Sequence, residues 1–330
     1  MLYIIDHSTD PQWNLAAEEY LFKKFKEPVF RLWRNSPSVI IGLHQNAFAE
    51  INIEYVKKNS IPVVRRLSGG GAVFHDLGNL NFTFIDNRVN TNETSAEMFA
   101  RFTRPILDAL TLLGINASLK GRNDLVIDDR KFSGNAVALY KERILQHGTI
   151  LFSSSMANLS DALANRPEQY ESKAVKSNRA RVTNISDHLE KSMTIEEFIH
   201  FLEQFILSQK ENRYIQYCYS ADDLAQIAKL KLEKYSKESW NYGSSPAFEY
   251  SKIMRFEGGL LEVHMSVKKG VIEDIRFYGN YFFIKESREL EEVLRETPYD
   301  PESMKDCLKR VNLSDYFVNI TEEEFLSLFF

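Results

Sequence analysis

Cysteine is nearly absent from this chain: Cys218 and Cys307 are the only two among 330 residues. They lie far apart, which excludes a disulfide framework and a Cys-x-x-Cys metal site and fits a reducing compartment, so a cytoplasmic location is expected. Glycine (14) and proline (9) are sparse as well, against any collagen-like or linker-like character. No window approaches 18 uninterrupted apolar residues, so no membrane-spanning helix is expected. The opening MLYIIDHSTDPQWNL has neither the basic start nor the long apolar stretch of a secretory signal. Basic residues are outnumbered, 41 Lys+Arg against 46 Asp+Glu, and the formal charge of −5 taken whole argues against an anionic ligand.

What is present changes that reading. The chain is 44% hydrophobic, with 23 Phe and 15 Tyr, ample for a packed core. Its length suggests two domains, or one large domain with an appendage. Residues 183–330 hold 18 bases and 27 acids, a charge of −9, so residues 1–182 hold 23 bases and 19 acids, a charge of +4. A basic first part is compatible with an anionic ligand, or with ordinary variation of surface charge.

The apolar pattern predicts an α+β fold. Asp10-Pro11 opens a helix with Trp13, Ala17, Tyr20, Leu21 and Phe25 at helical spacing. VFRLWR, SVIIGL, IPVVRRLS, AVFHD and NLNFTFIDN read as strands, followed by a helix over roughly 95–113. NASLKG, NDLVID, KFSGNAVALY and RILQHGTILFS read as antiparallel strands with tight turns such as Asp128-Asp129-Arg130. Residues 165–184 are polar, basic and aperiodic, and read as one long loop. TIEEFIHFLEQFILSQ and SADDLAQIAKLKLEKYSKESW, the second capped by Ser220, read as helices. NYGSSP (241–246) is the best linker, and a hairpin, LLEVHMSVKKGVIEDIRFYG, lies beyond it.

Three segments can carry chemistry. The first runs from Arg65 to Asp76 (RRLSGGGAVFHD). Three glycines in a row let the backbone approach a ligand closely, their N–H groups can form an anion nest, and an arginine pair adjoins them. The spacing is neither a Walker loop nor a dinucleotide fingerprint, and a plain glycine-rich hairpin is the alternative. The second is Gly121-Arg122-Asn123-Asp124 with Lys131 at the start of the next strand. There Asp124 can hold Mg²⁺ and Lys131 can neutralise an anion, or both can be solvated surface groups, as can His147-Gly148-Thr149. The third, Lys173 to Arg181, has four bases among nine residues and no acid. It lacks the interleaved aromatics that base stacking needs, so nucleic acid is not an expected partner.

Taken in order, RRLSGGGAVFHDLGNLNFTF, GRNDLVID, KFSGNA, QHGTILF and KSNRARVTN resemble the lipoate–protein ligase A family, within the biotin/lipoate ligase superfamily, over nearly the whole chain. The resemblance implies a mixed β-sheet catalytic domain of biotin/lipoate ligase type over residues 1–243 and a small C-terminal α/β accessory domain over 247–330. It implies that lipoate reacts with ATP and Mg²⁺ to give lipoyl-AMP and pyrophosphate, and that the lipoyl group then passes to a lysine of an acceptor domain. The expected acceptors are glycine-cleavage H protein and the acyltransferase subunits of 2-oxoacid dehydrogenase complexes. Carried over residue by residue, Arg66 and the backbone of Gly71, Ala72, Val73 and Phe74 hold the nucleotide phosphates, and Lys131 contacts both lipoate and ATP. Arg65, Ser68, Gly69, Gly70 and His75 belong to the lipoate-binding loop. Asn123, Asp124 (also the expected Mg²⁺ ligand), Lys173, Arg179 and Arg181 face the adenylate. Trp33, Val39, Phe74 and Phe82 are candidates to line an apolar slot for the dithiolane tail. A monomer is expected, with an accessory domain that moves about the 241–246 joint between the two half-reactions. The main competitor, an octanoyl- or lipoyl-transferase of the same superfamily, needs a cysteine thioester, and residues 1–217 hold no cysteine. A non-catalytic anion- or nucleic-acid-binding protein is the remaining alternative.

Overall fold

A computed structural model describes residues 1–43, 45, 47–87, 95–121, 123–163, 170–172, 181–209, 213–242, 248–257, 259–281 and 284–330. Lys173, Arg179, Arg122 and the centre of the 241–246 joint lie outside the described residues.

In chain order the elements are β1 (Leu2–Ile5), α1 (Pro11–Lys24), β2 (Val29–Trp33), β3 (Ser38–Ile41), α2 (Ala47–Glu50), α3 (Ile53–Lys58), β4 (Val63–Arg65), β5 (Val73–His75), β6 (Asn79–Asn87) and α4 (Ser95–Leu112). There follow β7 (Ala117–Lys120), β8 (Asp124–Ile127), β9 (Arg130–Tyr140), β10 (Arg143–Leu151), α5 (Met156–Ala162), β11 (Tyr170–Ser172), α6 (Ile195–Leu207), β12 (Ile215–Gln216), α7 (Ala221–Leu230) and α8 (Glu238–Asn241). The chain closes with β13 (Phe248–Phe256), β14 (Gly259–Lys268), β15 (Val271–Tyr281), α9 (Arg288–Leu294), α10 (Pro301–Leu308) and α11 (Glu322–Ser327).

The strands form an eight-stranded mixed sheet in the order β12-β1-β2-β6-β10-β9-β8-β7, a small sheet β4-β3-β5, and a third sheet β11-β13-β14-β15. The local signals act where expected. Asp10 accepts from the backbone N–H groups of Gln12 and Trp13 ahead of Pro11. Ser220 and Thr194 form reciprocal capping boxes with Asp223 and Glu197. Asp128 and Asp129 both take positive φ, 47° and 62°, which closes the β8–β9 hairpin.

Alternation along β6 sends Leu80, Phe82 and Phe84 into a core shared with Phe102 and Ile106 of α4 and with Phe198 and Leu202 of α6. The opposite face of the sheet is closed by α1 and the small sheet, and the site lies there. A separate core, built from Leu261, Val263, Ile275, Leu290, Met304 and Phe325, fills the C-terminal part and takes in Phe48 of α2, whose ring lies 4.5 Å from that of Tyr299.

Two expectations need correction. Residues 165–184 are not one long loop, because Tyr170–Ser172 pairs antiparallel with Phe248–Tyr250 as an edge strand of the C-terminal sheet. A three-residue strand whose partner lies nearly eighty residues away leaves no periodicity to read. The helix after Ser220 is not continuous to Trp240: it widens into a π turn over Lys231–Tyr235 and restarts at Glu238. That widening accompanies tertiary bonds from Lys234 Nζ (2.7 Å) and the Tyr235 hydroxyl (2.6 Å) to Glu19 Oε2.

One buried ion pair ties the first elements together. Arg31, fully buried in β2, donates from Nη2 to Asp6 Oδ2 (2.8 Å) and Asn14 Oδ1 (2.7 Å), and from Nη1 to Asn14 O (2.9 Å). Burial alone would raise the Asp6 carboxyl, but the Arg31 charge outweighs it and holds the group below its ordinary pKa. Asp6→Asn is expected to cost about 3–5 kcal/mol in urea denaturation, since it strands a buried guanidinium. A loss near zero would show that Asn14 alone satisfies Arg31.

Candidate active site

A cavity of about 750 Å³ lies between the eight-stranded sheet and the loop that joins β4 to β5. Its size is that of a small-molecule site. The sheet supplies one wall through two rows of facing residues. The register aligns Trp33, Asn81 and Thr149 in one row, and Arg31, Thr83, His147 and Ala136 in the next; all but the fully buried Arg31 and Thr83 line the cavity.

The second row is bound into a buried chain. Trp33 Nε1 donates to Thr83 Oγ1 (2.9 Å), and Thr83 Oγ1 donates to Glu18 Oε1 (2.7 Å). Glu18 Oε2 lies 2.9 Å from His147 Nδ1, and His147 Nε2 lies 2.6 Å from Ser68 Oγ. Burial pushes the Glu18 carboxyl up, but His147, Thr83 and Arg31 together bring it below its ordinary value, so it is an anion. Helix α1, the sheet and the glycine loop thus meet through one carboxylate.

The loop supplies the other wall. Arg66, almost completely buried, donates from Nη2 to the carbonyls of Gly69 (2.6 Å) and Gly71 (2.8 Å), and from Nε to Ser68 Oγ (3.0 Å). The loop therefore wraps around the guanidinium, and burial drives the Arg66 pKa down to about 10. Gly70 takes φ +90°, open to glycine at little cost. Its carbonyl oxygen comes so near Gly42 that a Cβ there would lie 2.1 Å away.

Lys131 sits where β9 departs from regular pairing. Leu125 faces Ser133 but Val126 faces Lys131, so Phe132 is the extra residue of a β-bulge. The Lys131 backbone is held from the other side, its N–H by Arg181 O (2.8 Å) and its carbonyl by Thr183 N–H (3.0 Å). The side chain lies over Gly134, where a Cβ would stand 2.9 Å from both Cε and Nζ, and the ammonium pairs with Asp124 Oδ1 at 2.8 Å. Asn123 and Asn135 hold the β7–β8 turn against β9, Asn123 O accepting from the Asn135 backbone N–H and from Nδ2, both at 3.0 Å.

Among the sequence-predicted residues, Arg66, Gly69, Gly70, Gly71, Ala72, Val73, His75, Asn123, Asp124 and Lys131 line this cavity together. Arg65, Ser68, Phe74 and Arg181 are not in its lining. Arg65 is fully buried with its guanidinium on main-chain carbonyls, Ser68 reaches the cavity through the lining residues His147 and Arg66, and Phe74 belongs to the core beneath the small sheet. Trp33 lines the cavity, while Val39 and Phe82 are core residues. His147, which the sequence leaves open between a functional and a surface group, lines the cavity, and its partner Glu18 is the residue that sequence reasoning does not single out. The available signal was a carboxylate at position 18 on the helix face that also carries Leu15, Leu21 and Phe22.

The two cysteines are outside the cavity lining, Cys218 exposed and Cys307 buried in the C-terminal core. Among the described residues no cluster of three or more His, Cys, Asp or Glu can hold a metal ion, and no helix is long and apolar enough to cross a membrane.

Comparison with known proteins sets this geometry in context. Residues 10–206 match the model of the lipoyl protein ligase A/B catalytic domain, and residues 245–329 that of the bacterial lipoate protein ligase C-terminus. The chain is 42% identical to the lipoate-protein ligase LplJ of Bacillus subtilis, with all of both chains covered. It is 38% identical to lipoate–protein ligase 1 of Staphylococcus aureus, with 97% of each covered. Among solved structures, a lipoate-protein ligase A bound with ATP superposes with a TM-score of 0.63 at 28% identity, covering 74% of this chain and 98% of that one. LipL1 of Plasmodium falciparum in complex with lipoate gives 0.62 at 27% identity, covering 99% and 97%. The bipartite lipoate protein ligase of Thermoplasma acidophilum, described together with its E2 lipoyl domain, gives 0.64 at 27% identity, covering 74% and 96%.

His75 gives a pH signature that can be measured. Its Nδ1 accepts from Asn35 Nδ2 (3.0 Å), because the Asn35 oxygen is taken by Asn14, which leaves the proton on a buried Nε2 that has no hydrogen-bond partner. Burial first, then the charges of Arg66 and His147, push its pKa down to about 3. The unfolded chain therefore takes up the proton first, and stability falls as pH drops from about 6.5 toward 3. Between pH 7 and pH 5 the native sequence is expected to lose about 2 kcal/mol more unfolding free energy than His75→Gln. Equal losses would mean that His75 is not buried and neutral.

Proposed function

The chain belongs to the lipoate–protein ligase A/B family, and on that premise we propose how its own residues perform the reaction and on what. The activity is ATP-dependent ligation of lipoate to protein. In the first half-reaction the lipoate carboxylate attacks the α-phosphorus of ATP, forming the acyl–phosphate bond and releasing pyrophosphate. In the second, a lysine amine of the acceptor attacks the acyl carbon, loses its proton and expels AMP.

Both reactants of the first step are anions that repel one another, so a cation placed between them lowers the barrier directly. Lys131 is that cation, and its placement is the observation that carries this reading: a bulge and two backbone bonds aim it, and Gly134 leaves room for its side chain along the cavity wall. In the waiting enzyme Asp124 is its counter-ion, and the substrate carboxylate takes that place on binding. In the second step the same ammonium stabilises the charge that gathers on AMP as it leaves. Arg66 and the backbone of Gly71, Ala72 and Val73, which line the cavity, hold the nucleotide phosphates, and the Ser68–Gly70 loop holds lipoate. The apolar end of the cavity, with Trp33, Ile40 and Leu15, takes the lipoyl tail. By the family resemblance Lys173, Arg179 and Arg181 are assigned to the adenylate.

Mg²⁺ fits Asp124, a single carboxylate on the cavity wall, because this ion is usually held by one or two carboxylates with substrate phosphates and water. When bound it would offset the phosphate charge. The acceptors are lipoyl domains, including glycine-cleavage H protein and acyltransferase subunits of 2-oxoacid dehydrogenases, a reading supported by the E2 lipoyl domain that accompanies the T. acidophilum relative. The protein works as a cytoplasmic monomer, with a catalytic part over residues 1–243 and an accessory domain over 247–330. The limits of the two family models support that division.

Purified protein incubated with lipoate, Mg-ATP and an unlipoylated acceptor domain should add one lipoyl group to the acceptor, read as a mass gain. No gain with any lipoyl domain would sink the assignment. Lys131→Ala should lower lipoate-dependent ATP–pyrophosphate exchange by about 100-fold or more. Gly134→Ala, which pushes the ammonium aside while keeping it, should give an intermediate loss with an unchanged circular dichroism spectrum. Full activity in Gly134→Ala would show that the Lys131 position is not constrained.

A further inference from the structure

We propose that Arg65 is a positioning residue for the carboxylate substrate: it touches no ligand, but holds the turn on which the glycine loop rests. Arg65 closes β4 and is fully buried. Its Nη1 donates to the carbonyls of Gly42 (2.9 Å), Leu43 (3.1 Å) and Gln45 (2.8 Å). Its Nε and Nη2 donate to the carbonyls of Trp240 (3.1 Å) and Asn241 (2.9 Å). Five main-chain carbonyls from two distant segments thus converge on one planar fork, a task a point-charge ammonium cannot perform.

The turn held in this way is the floor of the ligand loop. Leu43 N–H donates to Ser68 O (2.8 Å), and Gly42 lies against the carbonyl of Gly70. The other held segment is the end of α8, just before the C-terminal strands. It is locked to Arg65 a second time, Asn241 Oδ1 accepting from the Arg65 backbone N–H (3.0 Å) and Trp240 Nε1 donating to Arg65 O (2.9 Å). Burying a guanidinium is costly, and a hydrophobic residue would fill the space more cheaply. The arrangement is accounted for if the register of the 42–45 turn against α8 sets where the Ser68–Gly70 loop sits.

The proposal rests on the ligand-loop assignment above, and the test separates the two. Full-length Arg65→Lys keeps the charge but not the fork. In lipoate-dependent ATP–pyrophosphate exchange its KM for lipoate is expected to rise about tenfold or more, since a loop displaced by a fraction of an ångström loses its alignment. Its kcat should stay within about threefold of the native value, because Lys131 is untouched. A role in folding alone would lower the amount of active enzyme and leave KM unchanged, and that result overturns the proposal. If Arg65→Lys does not fold, Asn241→Ala, which removes the bond to the Arg65 N–H together with the Nδ2 bond to Tyr235 O and leaves the Arg65 fork in place, decides the matter: a raised KM for lipoate supports the proposal and an unchanged one overturns it. Exchange absent from the native protein would overturn the ligase reading and this proposal together, whereas normal native exchange with an unmoved KM in the variant overturns this proposal alone.

Discussion

Two adjacent arginines, buried and hydrogen-bonded mainly to main-chain carbonyls, set the shape on which the rest of this site depends. Arg66 gathers the carbonyls of the glycine loop around itself, and Arg65 gathers those of the turn beneath it. Each side chain takes up carbonyl oxygens. A loop whose carbonyls face inward onto a cation is left free to present N–H groups outward, which is what a phosphate ligand needs. Burial holds both guanidinium groups near pKa 10, still charged at neutral pH. The positive charge that composition suggested for the first part of the chain is therefore partly structural: these two guanidinium groups shape the glycine loop and the turn beneath it.

Against that wall the sheet sets a lysine whose freedom has been removed. A strand can aim a side chain only up or down, and the bulge at Phe132 is the device that breaks this choice. It leaves Lys131 facing the cavity, its backbone carried by the segment at Arg181–Thr183 and its ammonium resting on Gly134. The pairing with Asp124 compensates the cation within the cavity wall.

The chain between Ser172 and Arg181 joins two units. Its near end pairs with the edge of the C-terminal sheet, and its far end bonds to Lys131. Tyr170–Ser172 thus belong to the C-terminal sheet, whereas Arg181 and Thr183 support the backbone of Lys131.

Much of this was legible in the residues themselves. The capped helices, the Asp128-Asp129 hairpin and the strands over 117–151 follow from local chemistry that tertiary context did not override. The glycine triplet, Asp124 and Lys131 stand out because their residue types are unusual at those positions. Other features were settled only in three dimensions. Arg65 and Arg66 are chemically identical and adjacent in sequence, yet at the end of β4 they point to opposite sides of the chain, so one borders the cavity and the other a turn 20 to 23 residues away in sequence but touching in space. Glu18 and His147 became a pair only because α1 lies across β10. The edge strand at Tyr170–Ser172 needed a partner that is nearly eighty residues distant. The sequence by itself determined which groups were available and which local turns they could make. Which of them share a low-dielectric pocket, and which spend their hydrogen bonds on the backbone, depends on contacts between remote segments, and only the tertiary structure decided that.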